Sequence, residues 1–201
     1  STTSASLINN QVFSLSGGDG AYNTSPWPQY LSDAGHALGI KIDGGTSLIQ
    51  NNTIYDVRGG IGGYPSGQSG EGLGAFFNLS ATVLALNNAI ISSTVGVSAT
   101  ASSYLWDYNT LWQTDLNYSG VVTGPHDLHA DPRFKDAASG DFHLAFSSPL
   151  IDRGFTPLSP PDDLDGNPRP IDGDGDGVPI TDIGAYEYQP TPVYKVYLPQ
   201  V

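Results

Sequence analysis

The sequence predicts an all-β fold, a right-handed parallel β-helix of three-strand rungs. Three observations carry that prediction. An Asn, any residue and two large apolar residues recur as Asn10-Gln11-Val12-Phe13, Asn52-Thr53-Ile54-Tyr55, Asn88-Ala89-Ile90-Ile91 and Asn109-Thr110-Leu111-Trp112. A glycine before an apolar or small residue recurs upstream: Gly39 lies 13 residues before Asn52, Gly74 lies 14 before Asn88, and Gly96 lies 13 before Asn109. Helical periodicity is missing, while short runs rich in Ile, Val, Leu and Tyr alternate with Gly, Asn and Ser. A fixed internal distance repeated along a chain marks stacked copies of one supersecondary unit.

The expected strands fall at residues 37–42, 47–50 and 53–57 in one rung, 74–78, 82–86 and 89–91 in the next, and 96–99 and 104–107 in a third. The rungs then span 36–57, 72–93 and 94–115. The bare repeat is the 21 residues from Asn88 to Asn109; the two earlier spacings exceed it by 15 and 21. The excess lies in Gly-rich inserts at 16–35 and 58–70, both after a third strand and so on one edge. Asn at each turn takes the left-handed conformation at low cost, and stacked Asn side chains hydrogen-bond along the pile. The strand expected before Asn9 and Asn10 would begin ahead of residue 1. The first rung is therefore expected to be open, covered by an upstream segment or another molecule. The expected organisation is rungs over 1–125, a second region over 126–189 and a terminal strand over 190–201.

A chain of 201 residues with 38% hydrophobic content suits one domain with a narrow core. Cys is absent, which excludes disulfides and thiolate metal sites. No apolar run reaches the ~18 residues a membrane span requires. The opening Ser1-Thr2-Thr3-Ser4 is not expected to be a signal peptide and reads as a mature product or an internal piece. A net charge of −13 repels nucleic acid, and repels anionic polysaccharides unless cations intervene.

From His126-Asp127-Leu128-His129 the character changes. Gly140-Asp141-Phe142-His143-Leu144, Ser148-Pro149-Leu150-Ile151-Asp152-Arg153-Gly154, Asp165-Gly166-Asn167-Pro168-Arg169-Pro170 and Asp182-Ile183-Gly184-Ala185-Tyr186-Glu187 follow in order. Over residues 96–188 the chain resembles the C-terminal part of secreted bacterial right-handed parallel β-helix proteins of the "choice-of-anchor" surface type. The resemblance implies a β-helix closed by an irregular cap, an extracellular or cell-surface location, and no particular reaction. The ending Tyr194-Lys195-Val196-Tyr197-Leu198-Pro199 is similar to tails of some such proteins.

The clearest candidate site is a calcium loop. Asp172, Asp174 and Asp176 occupy positions 1, 3 and 5, Gly177 permits the turn, and Val178 offers its carbonyl. Asp182 closes the loop one position short of the usual spacing, as Asp rather than Glu. The expected Ca²⁺ is structural, since no helices flank the loop. Asp162, Asp163 and Asp165 are a second cation candidate. His126, His129 and His143 lie near Asp127, Asp131 and Asp141, a metal or acid–base pattern that reads better as local hydrogen bonding to backbone.

For a polysaccharide lyase the available bases are Lys41, Arg58 and His36; for a glycoside hydrolase the carboxylates are Asp33, Asp43, Asp56 and Glu71. None forms a distinctive motif, so no catalytic residue is assigned. Tyr22, Trp27, Tyr30 and Tyr64 on the inserts suit carbohydrate stacking, a protein interface, or cover for the flank of the stack. Asn23, Asn51, Asn78 and Asn117 begin glycosylation sequons, usable only on loops. Val193, Tyr194, Val196, Tyr197 and Leu198 form a terminal strand that could complete the open rung of another molecule. The expected function is a non-catalytic extracellular structural or adhesive module, assembling head-to-tail into a filament or surface layer. The alternatives are a carbohydrate-binding or polysaccharide-cleaving protein, and the tail of a longer enzyme whose active site lies upstream.

Overall fold

Side chains alternate across a strand, so an Asn-x-apolar-apolar run sends its first apolar residue to one face and its second to the other. The computed structural model, which describes residues 4–18, 35–61, 68–100 and 103–190, follows that rule. It is all-β. The strands are β1 (Ser4–Ile8), β2 (Gln11–Ser16), β3 (Ala37–Gln50), β4 (Thr53–Arg58), β5 (Gly72–Leu86), β6 (Ala89–Ser93), β7 (Val95–Ala99), β8 (Ser103–Asp107), β9 (Thr110–Trp112), β10 (Leu116–Ser119), β11 (Phe134–Asp136) and β12 (Asp141–Leu144). Among the described residues the only helical elements are two short 3-10 turns, Ala137–Ser139 and Thr156–Leu158.

Two parallel sheets carry the fold. One runs β1-β3-β5-β7-β10, with β8 also paired to β5; the other runs β2-β4-β6-β9. The chain alternates between them, so each pass adds one strand to each sheet. Residues 37–42 and 47–50, expected as separate strands, run through as the single strand β3. The corner is a register shift between Ile42 and Gly44 followed by Gly45 at φ 79°, tight enough for the pairing to continue across it. The same merger makes β5. In the next layer the strand divides into β7 and β8, which pair with the two halves of β5.

Register places like on like through the interior. Ile40, Ala75 and Val97 stack, as do Ile42, Phe77 and Ala99, and Ile54, Ile90 and Leu111; all are buried. The repeated glycine has a steric cause. A Cβ on Gly39 would lie 2.8 Å from Ile54 Cγ2 and 2.6 Å from the Gly74 carbonyl oxygen. A Cβ on Gly74 would run into Ile90 Cγ2, and one on Gly96 into Leu111 Cδ2. The two sequence echoes are thus two halves of one packing unit. The apolar residue two places after each asparagine fills the space that the glycine leaves open.

The second apolar residue of each motif, Phe13, Tyr55, Ile91 or Trp112, points away from that interior. Residues 128–188 cover this outer face. At the start of this segment Leu128 bridges Thr110 in parallel and extends the β2-β4-β6-β9 sheet beyond β9. Phe142 packs on Phe13 and Tyr55, with ring centroids 5.7 and 5.1 Å apart. Leu144, Leu150, Ile151 and Ile183 form a second buried cluster around Ala89. Of the segment expected as an irregular cap, Asp127 and Leu128 sit on the end of the stack beyond β9, and the rest packs along its side. The outward row of large apolar residues explains the placement, because it would otherwise face water.

Candidate functional site

The motif asparagines form two columns with different tasks. In the inner column the Asn10 backbone N–H donates to Asn52 Oδ1 at 2.9 Å, Asn52 to Asn88 Oδ1 at 3.1 Å, and Asn88 to Asn109 Oδ1 at 2.9 Å. Each Nδ2 of Asn10, Asn52 and Asn88 also donates to the same oxygen, at 2.9 Å in every step. Spare Nδ2 hydrogens go to strand carbonyls such as Leu7 and Ile49. Asn52, Asn88 and Asn109 are buried, and this column leaves none of their amides unsatisfied.

The column ends on Asp127, which the sequence placed beside the histidines rather than in the ladder. Asn109 N–H donates to Asp127 Oδ1 at 2.9 Å. Asp127 Oδ2 accepts from Trp106 Nε1, the Tyr118 hydroxyl and Gly124 N–H, at 2.8, 2.8 and 2.9 Å. A carboxylate only accepts, so it terminates a column in which each asparagine both donates and accepts. Burial raises the pKa of the Tyr118 phenol, which keeps its proton toward Asp127. Leu128 stands in register with Thr110, the residue after Asn109, but does not resemble Gln11, Thr53, Ala89 or Thr110, so the repeat carried no signal for Asp127.

The outer column is Asn9, Asn51 and Asn87, continued by Tyr108, all left-handed at φ 52–57°. These residues fasten the flanking segment. Asn9 Nδ2 donates to the Asp162 carbonyl at 2.6 Å, and Asn51 Nδ2 to those of Asp182 and Gly184 at 3.1 and 3.3 Å. Asn87 Oδ1 accepts from Phe155 N–H at 2.7 Å, and its Nδ2 donates to the Phe155 carbonyl. Complete burial of Asn51 closes its sequon to a glycan.

The acidic loop is held by its own backbone. Asp172 accepts from Gly175 and Gly177 N–H at 2.8 and 2.9 Å, Asp174 from Asp176, and Asp176 from Val178. The carboxylates that converge are Asp152, Asp172 and Asp174, with one oxygen of each within 4.8 Å of the others. Asp152 is nearly buried and accepts from Gly173, Asp174 and Ile180 N–H. It is a residue that spacing alone did not nominate, because it lies 20 positions before the loop. Val178 is exposed and Asp176 stands outside the trio.

Asp182, expected to close the loop, turns inward instead. Its Oδ1 accepts from Asp152 N–H at 2.8 Å and its Oδ2 from Tyr188 N–H at 2.6 Å. Burial first, then the neighbouring Glu187, pushes the Asp182 pKa up to about 8; burial raises Glu187 as well. Arg169, wholly buried, pairs with Glu187 at 3.1 Å and donates to Thr181 Oγ1 and to the Asp182 and Gly184 carbonyls. This buried knot fixes the wall behind the acidic trio. A shallow cavity of about 420 Å³ opens beside it, lined by Phe146, Asp172, Asp174, Tyr188 and Pro190.

The other candidates disperse. Asp163 spends both oxygens on N–H groups of Asp165, Asn167 and Glu187 and on Asn167 Nδ2, while Asp165 pairs with His143 at 2.7 Å. The three histidines stand apart. His126 stacks on Tyr108 and pairs with Asp107; His129 neighbours Asn117 and Tyr118; His143 lies between Asp141 and Asp165 against Tyr186. Lys41 pairs with Asp43 at 2.9 Å, Arg58 with Asp56, and His36 Nδ1 accepts from Glu71 N–H. Tyr22, Asn23, Trp27, Tyr30, Asp33, Tyr64, Val193, Tyr194, Val196, Tyr197 and Leu198 lie outside the described residues. No helix among the described residues is long and apolar enough to cross a membrane.

Compared with known protein families, with curated proteins and with solved structures, the chain matches none.

Proposed function

We propose that the paired sheets wind as a right-handed parallel β-helix and that the chain is a non-catalytic structural or adhesive module of the extracellular space or cell surface. The asparagine column carries the proposal. A buried amide ladder threading every layer builds a stiff shaft, and its residues are committed to one another rather than to a ligand. The candidate bases point the same way, since Lys41 and Arg58 each face a carboxylate of their own turn. A monomer trace with antiparallel sheets at the Asn pairs would sink this reading.

In the proposed module Ca²⁺ is structural, held by Asp152, Asp172 and Asp174. Three carboxylates are hard oxygen donors of the type calcium takes, and each keeps lone pairs beyond those used by N–H groups. Without a cation their charges repel. Calorimetric titration of metal-stripped protein with Ca²⁺ is expected to give a single site and a melting temperature that rises with Ca²⁺ concentration. Asp174→Asn is expected to weaken the site at least tenfold; absence of both heat and thermal shift would remove calcium from the account.

Assembly belongs to the same proposal. Among the described residues, β1 and β2 are hydrogen-bonded on one side only, to β3 and β4, and present a strand edge on the other. Residues 193–201 of another copy would add there, giving a head-to-tail filament. Removal of residues 190–201 should yield a folded monomer, and a truncated protein that still polymerises rejects this route. A second reading, carbohydrate binding or cleavage, draws support from the cavity where Phe146 and Tyr188 flank two carboxylates. Glycan-array binding, with an absorbance assay for unsaturated uronate products, separates the two.

A further inference from the structure

We infer that the groove between the outer face of β9 and residues 131–137 is a binding site for one uncharged sugar ring, stacked on Trp112. This rests on the adhesive half of the proposed function, and it names the class of ligand which that half would hold. The groove is separate from the cavity beside the acidic trio.

The repeat sets the floor of the groove. Tyr55, Ile91 and Trp112 are the outward apolar residues of successive motifs and lie in register on β4, β6 and β9. Neighbouring strands stand about 4.8 Å apart, so the three side chains form one continuous row. The flanking segment covers that row unequally. Phe142, itself buried, packs on Tyr55 with ring centroids 5.1 Å apart, and Phe134 meets Phe142 edge-on at 5.2 Å. Trp112 is only half-buried, and among the described residues no ring stacks on it and no acceptor takes its Nε1 hydrogen. A cavity of about 220 Å³ remains there, with Arg133 and Phe134 in its wall. That is smaller than the roughly 300–1,000 Å³ of pockets for drug-sized ligands, which limits the occupant to about one ring.

The rim carries both donors and acceptors. Asp131 Oδ1 accepts from Arg133 N–H at 2.9 Å, and its Oδ2 keeps its lone pairs for a hydroxyl. Gln113 Oε1 accepts from Ser92 Oγ at 3.1 Å, which leaves its Nε2 hydrogens to donate. Arg133 Nη1 donates to the Ser147 carbonyl at 3.0 Å, which anchors the guanidinium and leaves Nη2 unspent. A sugar hydroxyl both donates and accepts, so it satisfies the carboxylate and the amide or guanidinium together. The apolar C–H face of the ring then lies on the indole. One carboxylate and one guanidinium make the rim neutral, while the chain as a whole is at −13 and repels an anionic sugar. A proline ring would stack equally well, but it brings no donor of its own to Asp131.

The test uses the full chain. Methyl β-glucopyranoside, methyl β-galactopyranoside and N-acetylglucosamine are the neutral probes, galacturonate is the anionic control, and a proline-rich peptide is the rival occupant. In NMR titration at least one neutral probe is expected to give saturable shifts of the Trp112 indole N–H and the Gln113 side-chain amide. Galacturonate is expected to bind about tenfold more weakly, and chelation of metal to change nothing. Trp112→Leu keeps an apolar side chain on β9 without the flat ring; it should still melt cooperatively and bind about tenfold more weakly or worse. Asp131→Asn, at an exposed position, keeps an acceptor for Arg133 N–H and should weaken the same probe by a similar factor. No saturable shift with any neutral probe, undiminished binding by a folded variant, or tighter binding of the peptide overturns the inference. Shifts at Phe146 and Tyr188 in place of Trp112 overturn this site while leaving the carbohydrate reading intact. Binding at Trp112 together with cleavage of an oligosaccharide probe supports the site and rejects the non-catalytic reading.

Discussion

At the scale of single residues, the fold is a matter of small against large and donor against acceptor. Gly74 is required because Ile90 fills its missing side chain and the Gly96 carbonyl lies 2.6 Å from where a Cβ would stand. Gly74→Ala is expected to destabilise by about 1–3 kcal/mol, the usual penalty for overpacking, measurable by denaturant unfolding. Ile90→Ala removes the opposing Cγ2, so in the double variant the losses from Gly74→Ala and Ile90→Ala should not add: it is expected to be more stable than the sum of the two single losses predicts. The column makes a sharper prediction. Asp127→Asn is nearly isosteric, yet it turns an acceptor toward Trp106, Tyr118 and Gly124 into a donor on one side. A loss of about 1–3 kcal/mol is expected from the unsatisfied buried groups, whereas an unchanged stability would show that Asp127 is not the terminator. The asparagines were legible because each sits beside an invariant apolar pattern within this one chain. Asp127 was not, because the terminating chemistry differs from the repeating chemistry and no apolar pair follows it. Asp152 was hidden for another reason: distance in sequence carries no information about which loop folds back on which.

At the scale of elements, the repeat placed the strands and the inserts, but not where strands merge or where the flanking segment lies. β3 is one strand rather than two because its corner consumes few residues, and pairing energy favours continuing the ladder through it. The lateral docking of residues 128–188 was foreshadowed by the second apolar residue of each motif. The sequence pointed to an irregular cap instead, because alternation was not applied to the pair. One fastening of this segment is titratable. His143 bridges Asp141 on β12 and Asp165, stacks on Tyr186, and Tyr186 donates its hydroxyl to Gln11 Oε1 on the first rung at 2.6 Å. Burial opposes the charge on His143, but hydrogen bonds to Asp165 and Asp141 outweigh it and raise its pKa above 6.5. Its stabilisation is therefore complete below the unfolded value and fades as pH rises through the folded one. Asp141 runs in the other sense: burial is offset by His143, its pKa falls below 3.8, and its contribution is lost as pH falls through that lowered value. The fastening is strongest between these limits, in mildly acidic solution. His143→Gln should lower the melting temperature at pH 5.5 and have little effect at pH 8.5. Asp182 and Glu187, with raised pKa values, also favour the acidic side, so the difference between wild type and variant isolates His143. Equal losses at the two pH values would count against the clasp.

At the scale of the whole molecule, the described residues form two paired parallel sheets with a fastened side and one end closed by a carboxylate. The side is held by hydrogen bonds from the outer asparagines and by aromatic contacts, and the sealed end by a carboxylate. The strongly acidic surface fits the proposed cation site and disfavours polyanionic partners. Function was the least legible level. Composition weighed against some classes, but a column of mutually satisfied asparagines carries no mark of what the chain binds or supports.

The most direct test of the shaft is hydrogen exchange of the asparagine side-chain amides, followed by NMR in native protein. Nδ2 hydrogens of Asn52, Asn88 and Asn109 should exchange only through global unfolding, with the same denaturant dependence as the backbone amides of β5. Exchange as fast as that of a solvent-exposed asparagine amide, with the protein still folded, would mean that the column does not exist and the layers are held some other way.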